Sequence, residues 1–314
     1  MAVTTPPAME LLDERERRSG SSSIWRDTLG NLRRQRNAVV GGTVLAFFIF
    51  TAVFADVIAT HPPNQVLIGV EGAKKLAPPC IHAFGCPATQ PEYYFGIDGN
   101  VRDVFSRVVH GTRISLRIGF LTVGFAIIIG GFIGALAGYA GGKLDNFLMR
   151  IMDVLLAFPS LLLAIAIVTV LGSGLVNAQL AIGVVAIPIY ARIMRGSVIS
   201  IRERDFVTAS RALGESSFGL LARRIIPNAL TPMIVQGTLG VAAAVLEVAA
   251  LSFLGLGTQP PDAEWGSMIG LARNTMFAAP HLVLFPGLAL ALSVLAFNLL
   301  GDGLRDALDP RLNR

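Results

Sequence analysis

The sequence predicts an all-α membrane protein with six transmembrane helices. Of its 314 residues, 53% are hydrophobic and 15% are charged, whereas soluble domains carry about 25% charged residues. The uncharged residues are gathered into runs that reach the roughly 20 residues a helix needs to cross about 30 Å of hydrocarbon. Lipid offers backbone groups no hydrogen-bond partner, so runs of this kind must be helical.

The six spans come from five uncharged stretches of the chain. These stretches are residues 38–55, 118–142, 154–191, 228–246 and 282–301. The third stretch is long enough for two helices, with a turn at Leu171-Gly172-Ser173-Gly174 between them.

The distribution of Lys and Arg predicts the orientation of the chain in the membrane. Seven arginines precede the first span, and seven more lie around the connection between the fourth and fifth spans. The turn between the third and fourth spans has no charge. Because short cytoplasmic loops carry the excess of Lys and Arg, both termini are expected in the cytoplasm. The net charge of +5 therefore follows from topology and requires no nucleic-acid partner.

These spans divide the chain into segments. Residues 1–36 are expected to form a cytoplasmic tail followed by an interfacial helix, although a cytoplasmic extension of the first span fits equally well. This leader is too long for a cleavable signal peptide. The remaining segments are the first transmembrane helix (37–60), an extracytoplasmic loop (61–112), a transmembrane core (113–304) and a cytoplasmic tail (305–314).

Cys80 and Cys86 both fall in the predicted outer loop. An oxidising exterior and their short separation favour a disulfide that closes a small loop. Metal binding by both cysteines with His82, and His61 as a fourth ligand, remains an alternative, but the spacing matches no common zinc pattern.

Motifs of catalysis are missing from the sequence. It contains no Walker A loop, no HExxH and no GxSxG. All four histidines lie outside the spans or at their ends, where none could serve as the base of an intramembrane hydrolase. The chain is therefore expected to be non-catalytic, with no cofactor and no metal of its own.

Glu247 is the one carboxylate well inside an apolar stretch. A charge at that depth is costly and faces a bundle interior or an aqueous cavity. Two interpretations stay open: Glu247 lines the translocation route, or it bonds a neighbouring helix or subunit. An ion-coupled secondary transporter would show several such carboxylates and inverted repeats. Their absence from the sequence indicates that energy arrives from a partner.

A polar segment at residues 205–227 separates the fourth and fifth spans and predicts a helix-turn-helix. Phe206, Ala209, Ala212 and Leu213 recur at helical spacing. Gly214 can take the positive φ of a helix C-cap, and residues 215–217 can start the next helix. Leu220, Leu221 and Ile225 form an apolar stripe, and Pro227 marks the entry to the fifth span. A short amphipathic helix of this kind fits a groove on another protein.

This segment resembles the EAA-type coupling motif of binding-protein-dependent ABC importers, which docks into the ATPase subunit. Ala209, Gly214 and Pro227 hold the expected places, whereas Thr208 stands where the family usually has Glu. We call residues 205–227 the coupling segment; they lie within expected coupling helices at 200–228. The resemblance assigns ATPase coupling to seven residues: Asp205, Thr208, Ala209, Gly214, Arg223, Ile225 and Pro227.

Other segments resemble one branch of that family, the C-type permease subunits of dipeptide, oligopeptide and nickel importers. They are Phe95-Gly96-Ile97-Asp98, the run 111–116, the run 251–257 with Pro260-Pro261, and the ending 297–311. The resemblance implies a type I importer (MetI-like) transmembrane domain in the inner membrane of a prokaryote.

The same resemblance implies the partners. A second homologous permease would complete the pore, two ATP-binding subunits would hold ATP and magnesium, and an extracytoplasmic binding protein would deliver the substrate. Peptides are the expected cargo. Nickel, haem or glycan fragments are alternatives on the same architecture, and an ion-coupled secondary transporter is the alternative class.

Overall fold

The computed structural model describes residues 35–69 and 73–308, and the regular secondary structure of these residues is helical. Nearly all of the expected tail and interfacial helix at 1–36, and the end of the tail at 305–314, lie outside the described residues. The helices are α1 (Arg36–Val53), α2 (Ala55–Ile58), α3 (Val104–Ala140), α4 (Gly142–Leu156), α5 (Ser160–Leu171), α6 (Leu175–Arg202), α7 (Asp205–Ala212), α8 (Ile226–Phe253), α9 (Trp265–Ala272) and α10 (His281–Leu308). A helical turn at Ser217–Gly219 and a π-helix at Leu220–Ile225 lead into α8 without a break.

Five of these helices are long and apolar enough to cross a membrane: α1, α3, α6, α10 and the continuous helix Ser217–Phe253. The sixth predicted span exists only as a bent pair, because α4 and α5 meet at 91°. The stretch 154–171 is therefore not one straight helix. Pro159 lacks the amide that would continue α4, and it disfavours the α conformation at Phe158. The predicted turn between the third and fourth spans is confirmed, since α5 ends at Leu171 and α6 begins at Leu175.

The centre of the bundle is the contact of α3 with α6, on which α8 packs. In lipid the hydrophobic effect does not favour helix association, so helices associate through van der Waals packing where small residues let their backbones approach closely. Gly130, Gly134 and Gly138 recur every four residues along α3 and lie against the α6 backbone at Ile187, Ala191 and Arg195. The α10 helix packs against α8, and α1 lies at the edge on α10.

Ion pairs fasten α4 to α6. Asp145 forms a bidentate pair with Arg195, and Asp153 contacts Arg192 at 2.5 Å. Arg202 donates to the carbonyl oxygens that end α3, at Gly138 and Tyr139. The connection predicted between the second and third spans is thus a fifteen-residue helix held in place by charges.

The loop between α2 and α3 has a small core of its own. Leu67, Tyr93, Ile97 and Val101 are buried together. Cys80 and Cys86 form a disulfide with their Cα atoms 5.4 Å apart, so neither sulfur is left for the alternative metal site. The second span starts at Val104, inside the range 61–112 expected for the loop, and Asp103 caps it by accepting from the Ser106 amide at 2.8 Å.

Arg107 joins this loop to the connection between α8 and α9. Its side chain is 1% exposed. The guanidinium donates to the carbonyl oxygens of Pro63 and Pro261 at 2.8 and 3.2 Å, to Asn64 Oδ1 at 3.2 Å, and to the Asp262 carbonyl oxygen at 3.4 Å. One buried side chain therefore holds together two loops whose bonded carbonyl groups, at Pro63 and Pro261, are nearly two hundred residues apart in the sequence.

Candidate functional site

The coupling segment has the predicted helix-turn-helix geometry. The first helix, α7, runs from Asp205 to Ala212. Gly214 follows at φ +84°, a left-handed conformation that a residue with a Cβ atom adopts only at a cost. Ser216 then caps the next turn by accepting from the Gly219 amide at 3.2 Å. Pro227 lies inside the continuous helix Ser217–Phe253, directly after the π-helix, so its missing amide leaves a carbonyl group of the preceding turn without a helical partner.

The apolar residues of the coupling segment divide into two sets. Val207, Leu220 and Ile225 are at most 1% exposed and fix the segment to the helix bundle. Leu213 and Phe218 are 88% and 80% exposed. The predicted apolar stripe of the first helix is therefore turned away from the bundle, and Val207, which the pattern did not single out, is the buried anchor of α7.

The segment also exposes polar and charged residues. Arg224 pairs with Glu215 at 3.2 Å, and the Thr208 hydroxyl donates to the Arg204 carbonyl oxygen at 3.5 Å. Arg211 and Arg223 have no carboxylate within ion-pair distance among the described residues. The segment thus offers three large exposed apolar side chains, Phe206, Leu213 and Phe218, flanked by guanidinium groups.

Glu247 lies near the bend between α4 and α5. Its Oε1 accepts a hydrogen bond from the Ser160 hydroxyl at 3.2 Å, across 87 residues of sequence. Ser160 is the first residue of α5 and directly follows Pro159. Sequence reasoning found the carboxylate but missed its partner, because hydropathy does not reveal where a helix bends. The presence of Pro159 in an apolar run was the available signal.

Taken together, five long apolar helices, a bent sixth pair and a helix-turn-helix between spans define a multi-pass membrane protein. A model of the family described as "Binding-protein-dependent transport system inner membrane component" matches residues 130–314. The chain belongs to this family. A second model, the "N-terminal TM domain of oligopeptide transport permease C", matches residues 23–79.

Curated relatives narrow the position within the family. The chain is 43% identical over 296 residues to the dipeptide transport system permease protein DppC of Alkalihalophilus pseudofirmus, covering 92% of this chain and 91% of the relative. It is 46% identical over 288 residues to the glutathione transport system permease protein GsiD of Pectobacterium atrosepticum, covering 92% and 91%. Among solved structures, the inward-facing MetNI methionine ABC transporter matches with a TM-score of 0.54 at 19% identity, over 65% of this chain and 98% of that chain. That likeness confirms the MetI-like type I importer fold.

Proposed function

We propose that this chain is the permease subunit of an ATP-driven importer of short peptides. It would form half of the pore beside a second, homologous permease in the inner membrane of a prokaryote. The main support for this proposal is the sequence identity of 43–46%, over 92% of the chain, to permeases named for dipeptide and for glutathione transport. Glutathione is itself a tripeptide, so both names describe small peptides with a free amino group and free carboxylates.

Energy would enter through the coupling segment. Leu213 and Phe218 present exposed apolar surface that suits insertion into a groove of an ATPase subunit. Val207 and Ile225 are fully buried, so a force on the segment reaches the spans without being absorbed by a loose loop. ATP and magnesium would be held by the two ATPase subunits, and this chain would carry no catalytic group. An extracytoplasmic binding protein would deliver the peptide.

Association of the ATPase tests the docking role. Leu213→Asp places a charge in the proposed groove and should abolish co-purification of the ATPase subunits from detergent-solubilised membranes. The matched control is Phe277→Asp, because Phe277 is 92% exposed in the connection that follows α9, at the end of the bundle away from the coupling segment. Equal recovery of ATPase with both variants would refute docking at Leu213.

Gly214 tests the transmission of force. Gly214→Val puts a β-branched residue at φ +84°, a strain of roughly 1–2 kcal/mol that changes the angle between the two helices of the segment. Insertion into the membrane should be unchanged, whereas ATP hydrolysis should no longer drive uptake. A stably inserted variant with wild-type uptake would contradict the role given to the segment.

Substrate class is tested with the assembled importer in proteoliposomes. Uptake of a labelled dipeptide is expected to depend on ATP and on the binding protein. Uptake of nickel, haem or a glycan fragment in its place would refute the peptide assignment while preserving the importer. Transport by this chain without ATPase subunits would favour an ion-coupled secondary transporter instead.

A further inference from the structure

The bend between α4 and α5 cannot face lipid. Ala157, Phe158, Pro159 and Ser160 are exposed on the chain. The bend leaves carbonyl groups at the end of α4 and amide groups at the start of α5 without helical partners. Irregular backbone at membrane depth is tolerated only where it meets other protein or lines an aqueous cavity. Within half of a pore, the bend therefore faces the partner permease or the translocation route.

Helix lengths place this bend and the carboxylate inside the hydrocarbon region. The far end of α5 meets the end of α8, because the Gly174 amide donates to the Leu256 carbonyl oxygen at 3.1 Å. The twelve residues of α5 rise about 18 Å. Ser160 thus lies up to about 18 Å from that end and Glu247, six residues before the end of α8, about 9 Å from it, so both fall within the roughly 30 Å of hydrocarbon.

Glu247 lies at the same surface as the bend between α4 and α5. It lies with Ala243 and Leu246 on a face of α8 that the chain leaves partly uncovered. The Ser160 hydroxyl donates a hydrogen bond to Oε1 of the carboxylate, while Oε2 has no hydrogen-bond partner among the described residues. The bend and the carboxylate are independent features, and each requires a polar surface at this depth.

We propose that Glu247 and Ser160 form a transit site in the pore that binds the amino group of the passing peptide. This proposal rests on the peptide-importer function proposed above. An α-ammonium offers three donors, which the free Oε2 and the Ser160 hydroxyl can accept. Glu247 is the only charged residue between residues 225 and 261. A cation is therefore the ligand that this stretch of α8 can attract.

Cysteine accessibility tests whether Glu247 faces an aqueous route. Ala243→Cys introduces a thiol one turn from Glu247 on the same face, in the assembled importer with cysteine-free partners. The native Cys80 and Cys86 are joined to each other and give no background. The matched control is Val248→Cys, since Val248 is 0% exposed. The probes are a cationic and an anionic methanethiosulfonate reagent.

The thiol introduced at position 243 should react with the cationic reagent faster than with the anionic one. The ratio of these two rates should fall about tenfold when Glu247→Gln is added, because this change removes a unit charge about 6 Å away in water. The Val248→Cys thiol should stay unmodified. A thiol at position 243 that is closed to both reagents would place this face against protein or lipid and overturn the proposal. An unchanged preference for the cationic reagent after Glu247→Gln would also overturn the proposal.

Transport in proteoliposomes tests the ligand. Glu247→Gln should lower dipeptide uptake at least about tenfold, the loss expected for one charge-assisted hydrogen bond, while ATP hydrolysis stimulated by the loaded binding protein is unchanged. Glu247→Asp should restore part of the uptake. Loss of uptake together with hydrolysis or subunit assembly would show a structural role and overturn the transit site.

The two proposals fail differently. If the wild-type importer takes up the dipeptide and Glu247→Gln does so equally well, the transit site is refuted alone. If the wild-type importer takes up no peptide, the peptide function is refuted, and the ligand assigned to Glu247 is refuted with it.

Discussion

Gly130→Ala is expected to destabilise the bundle at the contact of α3 with α6. A Cβ atom at position 130 would lie 2.6 Å from the Ile187 carbonyl oxygen, 2.9 Å from the Tyr190 Cβ and 3.0 Å from the Ala191 amide nitrogen. These atoms belong to the backbone or adjoin it, so no rotamer change relieves the clash. An ordinary carbon–oxygen contact is about 3.3 Å or longer, and α6 must therefore retreat by roughly 0.7 Å.

A gap of that size removes about a quarter to a half of each dispersion contact around it, and overpacking of this kind costs about 1–3 kcal/mol. Replacing Gly by Ala inside a helix returns up to about 1 kcal/mol through backbone entropy. Gly124→Ala, also on α3, isolates the contact, because a Cβ atom at position 124 meets nothing within 4 Å. The two variants should differ by about 1–3 kcal/mol, with Gly130→Ala the less stable.

The assay is thermal unfolding of the purified chain in detergent, followed by the fraction that stays monodisperse after heating. At about 2 °C per kcal/mol for a chain of this size, the midpoints should differ by several degrees. Equal midpoints for Gly130→Ala and Gly124→Ala would refute the close α3–α6 approach and the packing argument built on it.

Two further predictions concern the outer end of the bundle. Arg107→Met deletes four hydrogen bonds worth about 1 kcal/mol each, so its thermal unfolding midpoint should fall well below that of the control Arg117→Met, which alters an exposed arginine on the same helix. Equal midpoints for the two variants would contradict the stabilising role of the Arg107 contacts. Cys80→Ser with Cys86→Ser removes a crosslink worth about 2 kcal/mol for so short a loop, and limited proteolysis should cleave residues 73–103 faster while the spans remain resistant. An unchanged cleavage rate would show that the four-residue apolar cluster suffices to hold the loop.

Much of the architecture was predictable because it depends on neighbours in the sequence. Apolar runs specify spans through hydrocarbon thickness, and Gly214 specifies the end of α7 through backbone geometry. The Cys80–Cys86 disulfide closes only six residues of separation. Each of these features is decided by a few residues in a row.

The parts that sequence reasoning missed depend on pairs of distant residues. Arg107 meets the Pro261 carbonyl oxygen across 154 residues, and Ser160 meets Glu247 across 87. Hydropathy records how apolar a segment is but not the direction in which it leaves a proline, so Pro159 indicates a break in the helix but not the 91° angle of the bend. The apolar residues of the coupling segment were predicted from their helical spacing, and periodicity cannot tell a face that packs against the same chain from one that meets another protein.

The unbroken helix from Ser217 to Phe253 connects the two sites mechanically. Thirty residues separate Ser217 from Glu247, a lever arm of about 45 Å. Pivoted at its inner end, such a lever converts a tilt of about 5° into a displacement of roughly 4 Å at the carboxylate. A movement of this size exceeds the length of a hydrogen bond, so a small rotation of the coupling segment is sufficient to make or break a contact within the hydrocarbon region.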